Sequence, residues 1–147
     1  KSAKHLAPQY NLDIDLVIAG ILLHDIGKLF SIKSEYQASY TDEGNLLGHI
    51  VIGRDMVRNE AKSIKKFPQN LLLNIEHIIL SHQGKYEWHS PKKPAFSEAL
   101  FVHLIDLLDS QMNIMDQAIS NDQDLEDFTS KYNYYKIPLL KRPNAAE

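Results

Sequence analysis

The chain contains no cysteine among its 147 residues. This absence excludes a disulfide framework, a thiolate zinc site, an iron–sulfur cluster and a cysteine nucleophile. Long apolar segments are also missing, since the longest run, residues 18–23, is far too short to span a bilayer. No charged segment followed by an apolar one opens the chain as a signal peptide would. We therefore expect a soluble, cytoplasmic protein with no membrane partner.

The chain also carries little excess charge of either sign. Sixteen Lys and Arg against nineteen Asp and Glu give a net charge of −3. This balance excludes a globally basic nucleic-acid binder, although it leaves room for a local basic patch. The chain does contain seven histidines. Histidines in this number, without cysteine, are the first indication of a chemical function.

Helical spacing of apolar residues dominates the sequence, and no segment shows the alternation of a strand. We expect an all-α protein, a compact bundle of about five main helices. Asp13 and either Thr41 or Asp42 have the residue types that cap helix N-termini, and Gly27 fits the position just beyond a helix C-terminus. Residues 33–40 lack a helical period and are expected to form an irregular loop. The helix after Thr41 is expected to carry apolar residues, namely Leu46, Leu47, Ile50, Val51 and Val57.

The length fits one domain, and we expect residues 1–147 to form it. The chain starts at Lys1 inside a segment with helical spacing, so we expect its first helix to be truncated. Residues 121–147 begin with an acidic stretch, continue into a tyrosine-containing tail and are expected to form a C-terminal extension.

The strongest chemical signal is His24-Asp25 at the end of an apolar segment, followed by Gly27-Lys28. A buried His and Asp are costly unless something satisfies them. An isolated pair of this kind is more often a helix cap than a metal site. Further polar residues in or at the ends of apolar helices change the balance, and they are His49, His82 and Asp106. Three His and two Asp without sulfur suit Mn, Fe, Co, Ni or Zn and do not choose among them.

In order and spacing, these residues resemble the motifs of the HD-domain metal-dependent phosphohydrolases. The resemblance is most specific to the YhaM-type 3′-to-5′ exoribonucleases and covers about residues 3–116. It is carried by His24-Asp25 with Gly27-Lys28, and by three longer stretches at residues 40–50, 80–88 and 98–109.

The resemblance implies that five residues are metal ligands, namely His24, Asp25, His49, His82 and Asp106. It implies one or two divalent ions, with Asp25 as the bridge, and Lys28 as a contact for substrate phosphate, joined by Lys85. Two departures from the family pattern matter. Another ligand His would precede residue 1, and Gln83 stands where relatives tend to have a second His. The number of ions therefore stays open.

The remaining histidines have ordinary structural interpretations. His5 matches a variable surface position, and His77 in an apolar helix fits side-chain packing. His103 lies one turn before a predicted ligand, where orienting that ligand and simple packing remain alternatives. His89 shares its loop with Trp88, and the aromatic residues there are either a stacking surface for bases or, in the case of Trp88, an anchor for the loop.

The resemblance implies the catalytic HD domain of a 3′-to-5′ exoribonuclease that releases nucleoside monophosphates from single-stranded RNA. It also implies an oligonucleotide-binding module on the N-terminal side of the full-length chain. Two alternatives stay open: an HD phosphohydrolase acting on a nucleotide or dinucleotide, and a non-catalytic metal- or nucleic-acid-binding module with an incomplete site. Metal-dependent release of mononucleotides from RNA would separate the three.

Overall fold

The computed structural model describes residues 2–34, 39–123 and 125–141. Their α-helices are α1 (Ser2–Leu6), α2 (Ile14–Leu23), α3 (Lys28–Ser31), α4 (Asp42–Ser63), α5 (Gln69–Ser81) and α6 (Ser97–Ser120), with 3-10 turns at Ala7–Tyr10 and Tyr86–Trp88. The predicted all-α bundle is confirmed. No helix in the described ranges is long and apolar enough to cross a membrane.

Two compact units divide the chain, Lys1–Asp106 and Leu107–Glu147. The core of the first unit is made of aliphatic side chains from α2, α4, α5 and α6, namely Leu16, Ile50, Ile75, Ile78, Ile79, Ala99 and Val102. Within the second unit, the hydroxyl of Tyr135 donates to the Gln111 carbonyl at 3.0 Å. The single domain over residues 1–147 and the extension over residues 121–147 stay predictions.

The two predicted helix starts follow from local hydrogen bonding. The Asp13 carboxylate accepts from the backbone N–H groups of Asp15 and Leu16, at 3.0 and 3.1 Å. The Thr41 hydroxyl accepts from the Gly44 N–H at 2.8 Å. Each cap satisfies N–H groups that a helix leaves without a partner in its first turn. Asp13 and Thr41 are thus confirmed as the N-cap residues of α2 and α4.

The prediction that Gly27 lies just beyond a helix C-terminus is wrong. Helix α2 ends at Leu23, and Gly27 has a right-handed φ of −65° directly before α3. Its missing side chain serves a close approach instead. A Cβ at Gly27 would lie 2.6 Å from the backbone nitrogen of Gly53 and closer still to the carbonyl oxygen of His49. The turn after α2 therefore rests directly on the backbone of α4.

The apolar residues expected on the helix after Thr41 all lie in α4. Leu46 and Leu47 are exposed and Ile50 is buried, and between them Gly48 interrupts the helix with φ 75° and ψ 155°. The prediction of an irregular loop over residues 33–40 is wrong at the ends of that range, where β1 (Ile32–Ser34) and β2 (Ser39–Tyr40) pair antiparallel. Strands of two and three residues are too short to show alternation. Residues 35–38 lie outside the described part.

Candidate metal centre

The carboxylate of Asp25 is the centre around which the predicted site residues gather. Its Oδ1 atom lies 3.3 Å from Nε2 of His49 and 3.7 Å from Nε2 of His82. Its Oδ2 atom lies 3.3 Å from Nε2 of His24 and 2.6 Å from Nζ of Lys28. Side chains from the α2–α3 turn, from α4 and from the end of α5 thus meet on one acidic group.

Asp106 completes the group from α6. Its Oδ1 atom lies 3.4 Å from Nε2 of His24, so that ring nitrogen faces two carboxylates. The tightest subset is Asp25, His49 and His82, each of which offers a ligand atom within 4.8 Å of the others. The structure therefore brings together all five residues that the sequence singled out as candidate ligands.

The orientation of two imidazoles is fixed by the helix that carries each. Nδ1 of His24 is 2.9 Å from the Ile21 carbonyl, and Nδ1 of His82 is 2.8 Å from the Ile79 carbonyl. A carbonyl can only accept, so each Nδ1 carries the proton and donates it. Each Nε2 is then the atom presented to the carboxylates. With Nδ1 as the donor, the neutral form of each ring has its lone pair at Nε2, as a metal ligand at that atom requires.

The donor atoms at the centre fit a cation. Oδ1 of Asp25 and Nε2 of His49 are both buried, and neither has a hydrogen-bond partner among the described residues. Buried polar atoms without partners are costly. A divalent ion coordinated by both would satisfy them together, and nitrogen and oxygen donors without sulfur suit the ions named above.

Burial and neighbouring charges shift the pKa values of two histidines at the centre in opposite directions. Burial alone would lower the pKa of His24, but ion pairs with Asp106 and Asp25 outweigh it and raise that pKa to about 10. Burial lowers the pKa of His82, which stays neutral at pH 7. Burial opposes the charge of Asp25, yet His24 and Lys28 hold its pKa well below the usual range. The ion pair with His24 likewise lowers the pKa of Asp106.

Two contacts at His82 were not foreseen from the sequence. The side-chain amide of Gln83 donates to Nε2 of His82 at 3.2 Å, so Gln83 faces the ligand group. Nδ1 of His103 donates to the carbonyl of His82 at 2.7 Å. His103 therefore holds the backbone of His82. Neither contact has a periodic sequence signal, because both depend on the turn after α5.

The other predicted residues take varied positions. Lys28 is half exposed beside Asp25, while Nζ of Lys85 lies 4.4 Å from the centre of the Trp88 ring. His77 packs on Phe96 and accepts from the Ala95 N–H, and His5 and His89 are exposed.

The family comparison agrees with this geometry. The model of the HD domain family matches residues 1–111. This chain belongs to the HD domain family. Among curated proteins, the 3′-5′ exoribonuclease YhaM of Bacillus subtilis (strain 168) is 46% identical over 118 residues, which are 80% of this chain and 37% of that protein. The HD domain chain thus spans little more than a third of this relative. No solved structure matches this HD domain chain.

Proposed function

We propose that this HD domain is a metal-dependent phosphodiesterase that removes nucleoside monophosphates from the 3′ end of single-stranded RNA. The observation that carries the proposal is the convergence of three imidazole Nε2 atoms on two carboxylates, with an ammonium group beside them. The similarity to a 3′-5′ exoribonuclease supports RNA as the substrate. A cytoplasmic location and an oligonucleotide-binding module elsewhere in the full-length protein are parts of the same proposal.

In this proposal, one or two divalent ions of Mn, Fe, Co, Ni or Zn are held by His24, Asp25, His49, His82 and Asp106. Bound metal supplies Lewis acidity that activates water and neutralises charge on the scissile phosphate. Asp25 would offer both carboxylate oxygens as ligands, because they face different partners, His24 and His49. The Nδ1 bonds of His24 and His82 fix the ring planes in advance, so these rings need not reorient when an ion arrives.

Lys28 is assigned to the substrate. Its ammonium lies 2.6 Å from Oδ2 of Asp25 and is half exposed, so a phosphate oxygen can reach it from solvent. Lysine binds phosphate as a point charge with several donors. Lys85, also exposed, is assigned as a second phosphate contact. No protein nucleophile would be required, because bound metal would supply an activated water for that role.

The test is digestion of a single-stranded RNA labelled at its 5′ end, with each divalent ion added in turn to the metal-stripped chain. We expect stepwise shortening from the 3′ end and release of nucleoside monophosphates, with loss of activity in Asp25→Asn. Asp15→Asn is the matched control, since Asp15 lies exposed in the first turn of α2, the helix that precedes Asp25. Hydrolysis of free nucleotides or dinucleotides alone would favour the first alternative. Metal binding without any hydrolysis would favour the non-catalytic one.

A further inference from the structure

The loop after His82 is fixed to the candidate metal centre through His103. Gly84 has φ +78°, and a Cβ there would lie 2.6 Å from Nδ1 of His103 and nearer still to Cε1 and Nε2 of that ring. The ring of Trp88 also packs on His103, at 6.3 Å between centroids. Because His103 donates to the carbonyl of His82, Trp88 lies two contacts from a candidate ligand.

This loop holds two large aromatic rings open to solvent. Tyr86 is 57% exposed and Trp88 is 40% exposed. The backbone around them is nevertheless ordered by hydrogen bonds from the Trp88 N–H to Lys85 O at 3.1 Å and from the Ser90 N–H to Lys85 O at 3.2 Å. Ser90 itself is buried, and its hydroxyl donates to the Lys92 carbonyl at 2.6 Å. The two rings are therefore held by an ordered backbone while part of their surface stays open to a ligand from solvent.

Each exposed ring is accompanied by a lysine. Nζ of Lys85 lies 4.4 Å from the centre of the Trp88 ring, and Nζ of Lys93 lies 5.1 Å from the centre of the Tyr86 ring. A single-stranded nucleic acid presents the matching alternation, because every base has a π-face and is joined to a negative phosphate. Sequence-tolerant single-strand binding uses this combination of stacking and positive charge.

We propose that residues 85–93 form a stacking platform, on which the bases next to the 3′ end of RNA stack against Trp88 and Tyr86 while their phosphates pair with Lys85 and Lys93. The inference rests on the proposed function for its substrate and direction. It adds that recognition within this HD domain depends on base stacking and is therefore sequence-tolerant. It also requires a single strand, because the bases of a duplex stack on each other.

Trp88 is the chain's single tryptophan, which makes its fluorescence a direct report on the platform. The metal-stripped chain is titrated with oligouridylate, oligoadenylate and a duplex of equal length. We expect saturable quenching by both single strands and little by the duplex. Lys85→Gln and Tyr86→Ala keep the reporter and should weaken binding, the Tyr86 change by about fivefold to a hundredfold. Tyr132→Ala is the control, because Tyr132 is 91% exposed and belongs to the other unit.

Kinetics supply the second measurement. In Trp88→Ala, KM for RNA should rise by more than kcat falls, and Trp88→Phe should restore most of the loss because it keeps a ring. Absence of quenching, equal quenching by duplex, or an unchanged KM in Trp88→Ala would each overturn the platform. The two proposals fail separately: RNA digestion with an unchanged Trp88→Ala variant removes only the platform, whereas single-strand quenching without digestion removes only the proposed activity.

Discussion

Replacing Gly27 by alanine should move Asp25 away from His49 and so disrupt the candidate metal centre. The added Cβ would meet backbone on α4, 2.6 Å from the nitrogen of Gly53 and closer to the carbonyl oxygen of His49. Ordinary contact begins at 3.4 Å, so the turn must retreat by about 1 Å. Asp25 sits two residues before Gly27, and its 3.3 Å approach to His49 would widen by a similar amount.

The expected cost has two parts. Overpacking against rigid backbone destabilises by about 1–3 kcal/mol, which corresponds to a fall in Tm of roughly 3–10 °C for a chain of this size. Metal sites tolerate ligand displacements of only about 0.2 Å. A shift several times larger should therefore weaken metal affinity by roughly a hundredfold or more, because one ligand is lost. Calorimetric titration with Mn²⁺ or Zn²⁺ measures the affinity, and thermal unfolding without metal measures the stability.

Gly20→Ala is the matched control. It lies in α2, the helix that precedes the Gly27 turn, but its Cβ would meet flexible side chains, Ile78 and Val102, each at 3.0 Å. This variant should lose stability and keep its metal affinity, because no ligand-bearing backbone has to move. The reasoning is refuted if Gly27→Ala binds metal as tightly as the parent chain, or if both glycine variants lose affinity equally.

Three further predictions concern charge at the centre. Asp25→Asn should reduce RNA hydrolysis by several orders of magnitude, which product analysis measures. It should also lower the Tm of the metal-free chain by a few degrees in thermal unfolding, since Lys28 and His24 lose a partner. Lys28→Met should slow turnover at least tenfold without weakening metal binding, because the ammonium competes for Asp25; titration with Mn²⁺ and steady-state kinetics check this. Because the pKa of His24 is about 10, metal binding at pH 7 should release about one proton. The metal affinity should therefore rise with pH, by up to about tenfold per pH unit. Calorimetry in buffers of different ionisation enthalpy measures the proton release.

Sequence reasoning succeeded where the deciding interactions are local. Asp13 and Thr41 cap their helices through bonds to residues two or three positions away, so residue type and position suffice. The candidate ligands could also be named from sequence, because buried histidines and carboxylates on apolar helices need a partner. Their convergence on Asp25 was expected from the resemblance and could not be derived from spacing.

Contacts between residues far apart in the sequence explain why the Gly27 prediction failed. Gly27 looked like a helix terminator because its neighbours in sequence allow that role, whereas its function depends on the backbone of α4, more than twenty residues away. The break in α4 at Gly48, which has a φ of 75°, is likewise not indicated by the apolar spacing around it. A glycine's conformation is set by its surroundings, so periodicity cannot show where a helix changes phase.

Both fixed imidazoles of the centre use the same local device. His24 and His82 are the C-cap residues of α2 and α5, and each ring donates from Nδ1 to the carbonyl three residues earlier. Carbonyls in the last turn of a helix lack backbone partners. The ring therefore completes the helix end and, by the same bond, directs Nε2 away from the helix towards Asp25. Two helices that end on histidine can thus supply oriented nitrogen donors from their own backbone, and the packing that brings their ends together determines whether those donors meet.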